Sequence, residues 1–189
     1  MISLIYETFD PKIHDVSHVA RLVYDVDFRT FDMFFKSSDK AVKAISKYLQ
    51  KKDANNYFKV ILDENNQIIG YISIYLSDDG HEFHFKSWQL ILVDILDHFV
   101  LCDIEKDDLY LAEIAIDESQ RGKGMGKKVL HDVIDYARSK NYKRVILDAD
   151  FRNAGAKKLY ESIGFRQFNK KRVKIGSFER GMYNMEFIL

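Results

Sequence analysis

The chain has 189 residues, 47% of them hydrophobic and 31% charged, the mix of one globular domain able to bury a substantial core. One proline and nine glycines exclude low-complexity and linker-dominated architectures. The single cysteine, Cys102, permits neither an internal disulfide nor a thiolate metal cage and suits a reducing cytoplasm. The first seven residues lack a basic n-region, so no signal peptide is read. The most apolar stretch, 88–101, is too short and too charged to cross a bilayer, since it contains Asp94, Asp97 and His98. Net charge is zero, yet the stretch 121–174 carries 16 Lys and Arg against five Asp and Glu, a net +11, balanced by −11 elsewhere. These cations spread over several predicted elements rather than along one groove-sized stripe, so a small polyanion fits better than nucleic acid.

In chain order, 4–9 reads as a first strand, closed by Asp10-Pro11. Proline is favoured just inside a helix start, so a helix is expected from there, with Ile13, Val16, Val19, Ala20 and Val23 on its apolar face. A second helix is expected over 39–52, with Ala41, Val42, Ile45, Tyr48 and Leu49 along one side. The aromatics between Phe28 and Phe35 read as core or interface residues. Strands follow at 58–62 and 68–76, joined by the turn Asp63-Glu64-Asn65-Asn66. Trp88, Ile91, Leu92, Ile95, Leu96 and Phe99 recur at amphipathic-helix spacing, within a helical insertion at about 81–104. The apolar face of that insertion reads as an acceptor lid or a homodimer contact. The stretch 109–116 is apolar except for Glu113 and is expected to be a strand buried on both faces. A helix to about residue 140, a strand at 144–149, a helix at 154–163 and a C-terminal hairpin, 168–175 and 182–189, complete one mixed α/β domain over 1–189.

Between the apolar strand and the next helix lies Arg121-Gly122-Lys123-Gly124-Met125-Gly126, followed by Lys127-Lys128. A helix start presents backbone N–H groups without intrahelical partners, and the helix dipole adds positive potential there. Glycines let phosphate oxygens approach such a backbone closely. A Walker loop requires wider glycine spacing followed by Lys-Ser/Thr, and a Rossmann fingerprint sits near a first strand, so neither fits. Taken alone, the loop is either an anion cradle or a tight glycine turn.

The run Leu111–Ile116 with Gln120–Gly126 resembles the central motif of the GNAT superfamily of N-acetyltransferases, in which Arg121, Gly124 and Gly126 match Arg/Gln-x-x-Gly-x-Gly/Ala. Downstream, Asn153-Ala154-Gly155-Ala156-Lys157-Lys158-Leu159-Tyr160, with Gly164-Phe165, resembles the second motif of that family. The resemblance implies a mixed, mostly antiparallel central sheet with flanking helices. It also implies acetyl-CoA as cosubstrate, a primary amine of a small molecule or protein as acceptor, and direct attack in a ternary complex. No metal, nucleic acid or membrane partner is expected. A binding or regulatory module that holds CoA without turnover is the alternative.

The resemblance places the CoA pyrophosphate on Arg121, Gly122, Lys123, Gly124, Met125, Gly126 and Lys127, and the pantetheine arm along the backbone of Ile114, Ala115 and Ile116. Asn153 matches a residue that bonds the pantetheine amide or a water; equally, it would cap the helix that follows. Tyr160 matches the proton donor to the departing thiolate, or else it is a packed helix aromatic. Glu113 is the candidate general base if burial raises its pKa, and otherwise an ordinary solvated or paired carboxylate. Tyr110 acting through water is a second candidate. The six histidines, His81 and His84 among them, show no metal-ligand spacing.

Overall fold

A computed structural model of the chain describes residues 4–51, 57–76, 100–175 and 178–189. The insertion expected at about 81–104, with its helix from Trp88, lies outside the described residues except for its last five positions. Among the described residues, seven strands hydrogen-bond in the order β1-β2-β3-β4-β5-β7-β6. They are β1 (Ile5–Thr8), β2 (Phe58–Leu62), β3 (Ile68–Leu76), β4 (Asp108–Ile116), β5 (Arg144–Asp150), β6 (Arg166–Ile175) and β7 (Phe178–Ile188). β4 and β5 are parallel, whereas β1/β2, β2/β3, β5/β7 and β6/β7 are antiparallel. Five described helices accompany them: α1 (Val16–Val26), α2 (Phe28–Phe34), α3 (Ser38–Leu49), α4 (Met125–Ser139) and α5 (Ala154–Ile163). This is the mixed, mostly antiparallel sheet with flanking helices that the resemblance implies.

The contacts divide the described chain into two compact units, one within 4–74 and 113–126, the other within 75–76, 100–112 and 127–189. In the first unit, α1 starts later than Pro11 would have it. The Asp10 carbonyl accepts the N–H groups of Ile13 and His14 in a turn, and the Asp15 carboxylate then caps the helix at Ser17 and His18. Ile13 therefore stays 72% exposed instead of joining the apolar face. Val19, Ala20, Leu22 and Val23 of α1 pack with Ile45 and Leu49 of α3 and with Phe58, Val60 and Tyr71 of the sheet. α2 has no counterpart in the sequence reading. At seven residues it is too short to show a full helical period, yet it buries Thr30 and Phe31, and Phe31 stacks on Tyr24 at 6.0 Å.

In the second unit, Arg144 at the start of β5 makes a two-point bond to Asp108 of β4 at 2.7 and 3.0 Å and reaches Glu186 of β7 at 2.9 Å. Asp108 is 1% exposed, so the guanidinium offsets a charge that burial alone would not tolerate. Val129, Leu130, Val133, Ile134 and Ala137 form the buried face of α4. β4 itself departs from the expectation of burial on both faces. Leu109, Tyr110 and Leu111 are buried, but Ala112, Glu113 and Ile114 are only half-buried. That change follows the last β4–β5 pair, Leu111↔Leu147, although both strands run on.

Within the first unit, Gly70 of β3 lies against β4 so closely that an added Cβ would sit 2.3 Å from the Ala115 carbonyl oxygen. Backbone cannot yield as a flexible side chain can, so Gly70→Ala should cost about 1–3 kcal/mol of stability in urea denaturation. Unchanged stability would contradict this register.

Candidate active site

The end of β4 leads into a loop whose conformation is set residue by residue. Asp117 caps a short 3-10 turn, Glu118–Gln120, by accepting the Ser119 N–H. Arg121 closes that turn through its N–H to the Glu118 carbonyl, and its Nε donates to the Ile116 carbonyl at 3.3 Å. Gly122 and Gly124 then adopt left-handed backbones, φ +76° and +78°, which side-chain-bearing residues adopt only under strain. Apart from its chain neighbours, no heavy atom of a described residue lies within 4 Å of where a Cβ would stand at either glycine. Met125 turns inward and is buried, fixing the start of α4.

The first turn of α4 has no acidic residue; it carries Lys127 and Lys128 instead. Cations at a helix N-terminus oppose the dipole, so this arrangement calls for an anion. Lys128 is engaged by Asp132 at 3.0 Å and Lys123 reaches Gln120 at 3.2 Å. Arg121, Lys123 and Lys127 are exposed, and none of the three has a carboxylate partner among the described residues. Open space over two left-handed glycines, a helix start and unneutralised cations together fit a pyrophosphate. Among the described residues no group of three His, Cys, Asp or Glu side chains could hold a metal, and His81 and His84 lie outside them.

Glu113 projects from the half-buried part of β4 and accepts a hydrogen bond from the Tyr71 hydroxyl at 3.0 Å. Ile114, Ala115 and Ile116 continue this strand beyond its β5 ladder. In the second unit, Asn153 caps α5 by accepting the Ala156 N–H at 3.0 Å and is exposed. Tyr160 is buried on the same helix, and its hydroxyl makes no hydrogen bond to another described residue. Burial first, and the Asp148 carboxylate second, push its phenol up to about 12.

A family model described as the acetyltransferase (GNAT) family matches residues 22–165. The chain belongs to the GNAT family of acetyltransferases. An uncharacterized N-acetyltransferase of Methanocaldococcus jannaschii is 23% identical over 77% of this chain and 54% of its own length. Human N-acetyltransferase 8B is 27% identical over 64% of this chain and 53% of its own. The chain thus spans about half the length of these relatives. Among solved structures, an N-acetyltransferase from Staphylococcus aureus superposes with a TM-score of 0.63 at 20% identity, covering 97% of this chain and all of that one. A GNAT family acetyltransferase from Elizabethkingia anophelis with acetyl-CoA bound superposes with a TM-score of 0.55 at 18% identity, covering 98% of each chain.

Two features of this GNAT chain were not read from the sequence. Asp148 of β5 is the mirror of Glu113, a carboxylate within an apolar strand, and that signal was present. It accepts the Tyr110 hydroxyl at 2.8 Å, the Cys102 N–H at 3.0 Å, the Cys102 thiol at 3.2 Å and the Asn184 amide. Tyr110 is buried and donates its hydroxyl hydrogen to this bond. The Cys102 thiol is pushed strongly up by burial and by Asp148. The second feature, His18 bonded to Asp117 at 2.8 Å across 99 residues, leaves no local sequence signal. The Gly164-Phe165 pair also acquires a structural role. Gly164, at φ +115°, ends α5, and the Phe165 N–H caps the Tyr160 carbonyl at 3.1 Å.

Because the folded-state pKa of Tyr160 is raised above its unfolded value near 10, its contribution is complete below pH 10 and is lost as pH rises through about 12. Stability of wild type relative to Tyr160→Phe should therefore fall by about 2–3 kcal/mol between those limits. Denaturant titrations of both proteins at pH 9 and pH 12 check this; parallel behaviour would refute it.

Proposed function

We propose that the chain is an acetyl-CoA-dependent N-acetyltransferase that passes the acetyl group to a primary amine of a small molecule or protein by direct attack in a ternary complex. The observation that carries the reading is the left-handed Gly122/Gly124 pair, open above and set at a helix start that bears lysines instead of acids. Bound there, acetyl-CoA would supply an acyl thioester. Arg121, Lys123 and Lys127, with the backbone of 122–126, hold its pyrophosphate; the backbone of Ile114, Ala115 and Ile116 lines the pantetheine arm, and Asn153 is its further polar contact. The N-acetyltransferase names of the relatives support nitrogen as the acceptor atom.

In the transfer, the amine nitrogen forms a bond to the acyl carbon and the carbon–sulfur bond breaks. Glu113 takes the proton lost by the amine, directly or through water. Tyr160 gives a proton to the departing sulfur, and a phenol held protonated to about pH 12 suits a donor rather than a base. The basic stretch 121–174 supports a compact anion over nucleic acid. Much of its charge is consumed internally, in Arg144 with Asp108, Arg152 with Asp150, Lys157 with Glu161 and Lys171 with Asp103. Among the described residues no helix is long and apolar enough to cross a membrane. The buried, unpaired Cys102 supports a reducing compartment such as the cytoplasm.

Thiol release from acetyl-CoA, measured against polyamines, aminoglycosides, amino acids and lysine peptides, tests the reading. Tyr160→Phe should lower kcat on the responsive amine about 10- to 100-fold while leaving acetyl-CoA affinity within about twofold. Gly124→Val should instead weaken acetyl-CoA binding and its thermal stabilisation of the protein. Acetyl-CoA binding with no thiol release for any amine would favour a binding module without turnover.

A further inference from the structure

The phosphate loop has no core packing of its own, since Arg121, Gly122, Lys123 and Gly124 are all exposed. It is held at its two ends. Met125 anchors the far end by burial, and Asp117 anchors the near end by hydrogen bonds that point three ways. Oδ1 of Asp117 accepts the Ser119 N–H at 2.9 Å and the Ser119 hydroxyl at 2.6 Å, which fixes the turn leading to Arg121. Oδ2 pairs with His18 Nε2 of α1 at 2.8 Å. The Asp117 N–H donates to the Ile69 carbonyl of β3 at 2.8 Å. Ser119 first and His18 next hold this carboxyl down at about 2, so it is an anion throughout the neutral range.

We propose that His18 is a positioning residue for the acyl carrier: by pinning the outer oxygen of Asp117 to α1, it sets the direction in which the loop leaves β4. The inference rests on the CoA reading above. A glycine loop ordered only when ligand arrives loses backbone freedom at that moment and binds more weakly. A loop whose root is already fixed loses less. Without His18, Asp117 can still cap Ser119, but the capped turn loses its tie to α1.

Titration calorimetry with acetyl-CoA on the full chain, together with amide hydrogen exchange on the ligand-free protein, tests this. His18→Ala should weaken binding about three- to tenfold, the range for one partly exposed charge-assisted hydrogen bond. His18→Gln, which keeps an N–H donor, should recover most of that loss. Asp117→Ala should weaken binding further, and adding His18→Ala to it should change nothing more, because the pair acts as one unit. Exchange in His18→Ala should quicken at residues 118–126 and stay unchanged in α3 and β2. Wild-type affinity in His18→Ala, no recovery in His18→Gln, or faster exchange throughout the core would each overturn the proposal. Wild-type protein that binds no acetyl-CoA would instead remove the cofactor reading itself, a distinct result.

Discussion

A loop proposed to receive a phosphate must be open to water and still hold one shape, and much of what is distinctive in this chain bears on that conflict. Core packing cannot fix such a loop without closing it. The protein fixes the ends instead. A buried methionine, Met125, sets where α4 begins, and a hydrogen-bonded aspartate, Asp117, sets where β4 ends. Between them Gly122 and Gly124 take up left-handed turns that aim the backbone without a side chain in the way. Lys127, the lysine at the helix start without a carboxylate partner among the described residues, is unfavourable toward the dipole until an anion is present. The loop is therefore built at some cost to the free protein, as functional segments commonly are.

The two carboxylates set in apolar strands solve a related problem by similar means. Glu113 of β4 accepts the Tyr71 hydroxyl, and Asp148 of β5 accepts the Tyr110 hydroxyl together with Cys102 and Asn184 donors. Each half-buried charge is met by a buried phenol, a donor that brings no counter-charge. Their surroundings then diverge. Asp148 accepts donors from Tyr110, Cys102 and Asn184, and its carboxylate opposes ionisation of Tyr160. Glu113 stands on the stretch of β4 that has passed its last β5 pair.

Those differences decide what was legible in the sequence. Strand and helix boundaries were readable where apolar period and turn chemistry agreed, as at 58–62, 68–76 and 154–163. Pro11 misled because a favoured helix-start residue lost to a stronger local competitor, the Asp10 turn followed by the Asp15 cap. α2 was hidden because seven residues cannot display a period against a run of aromatics. The glycine loop was readable as a feature because its composition is local, three glycines and four cations in eight residues. His18 was not, since nothing near position 18 announces a partner 99 residues away.

That contrast bears on how a family motif should be read. The glycines and the arginine make the loop proposed to bind pyrophosphate, but their own conformational freedom would let it adopt many shapes. What narrows those shapes lies outside the motif, in the Asp117 carboxylate and the elements it joins. In the second motif the holding residues lie inside the pattern: Gly164 stops the helix, and Phe165 packs against Tyr160 and Phe187. Their part is to fix the backbone register that carries the phenol. In the first motif, then, the residues that fix the root of the loop lie far apart in sequence, at positions 18, 69 and 117, whereas its glycines and cations are compact enough to be recognised by pattern.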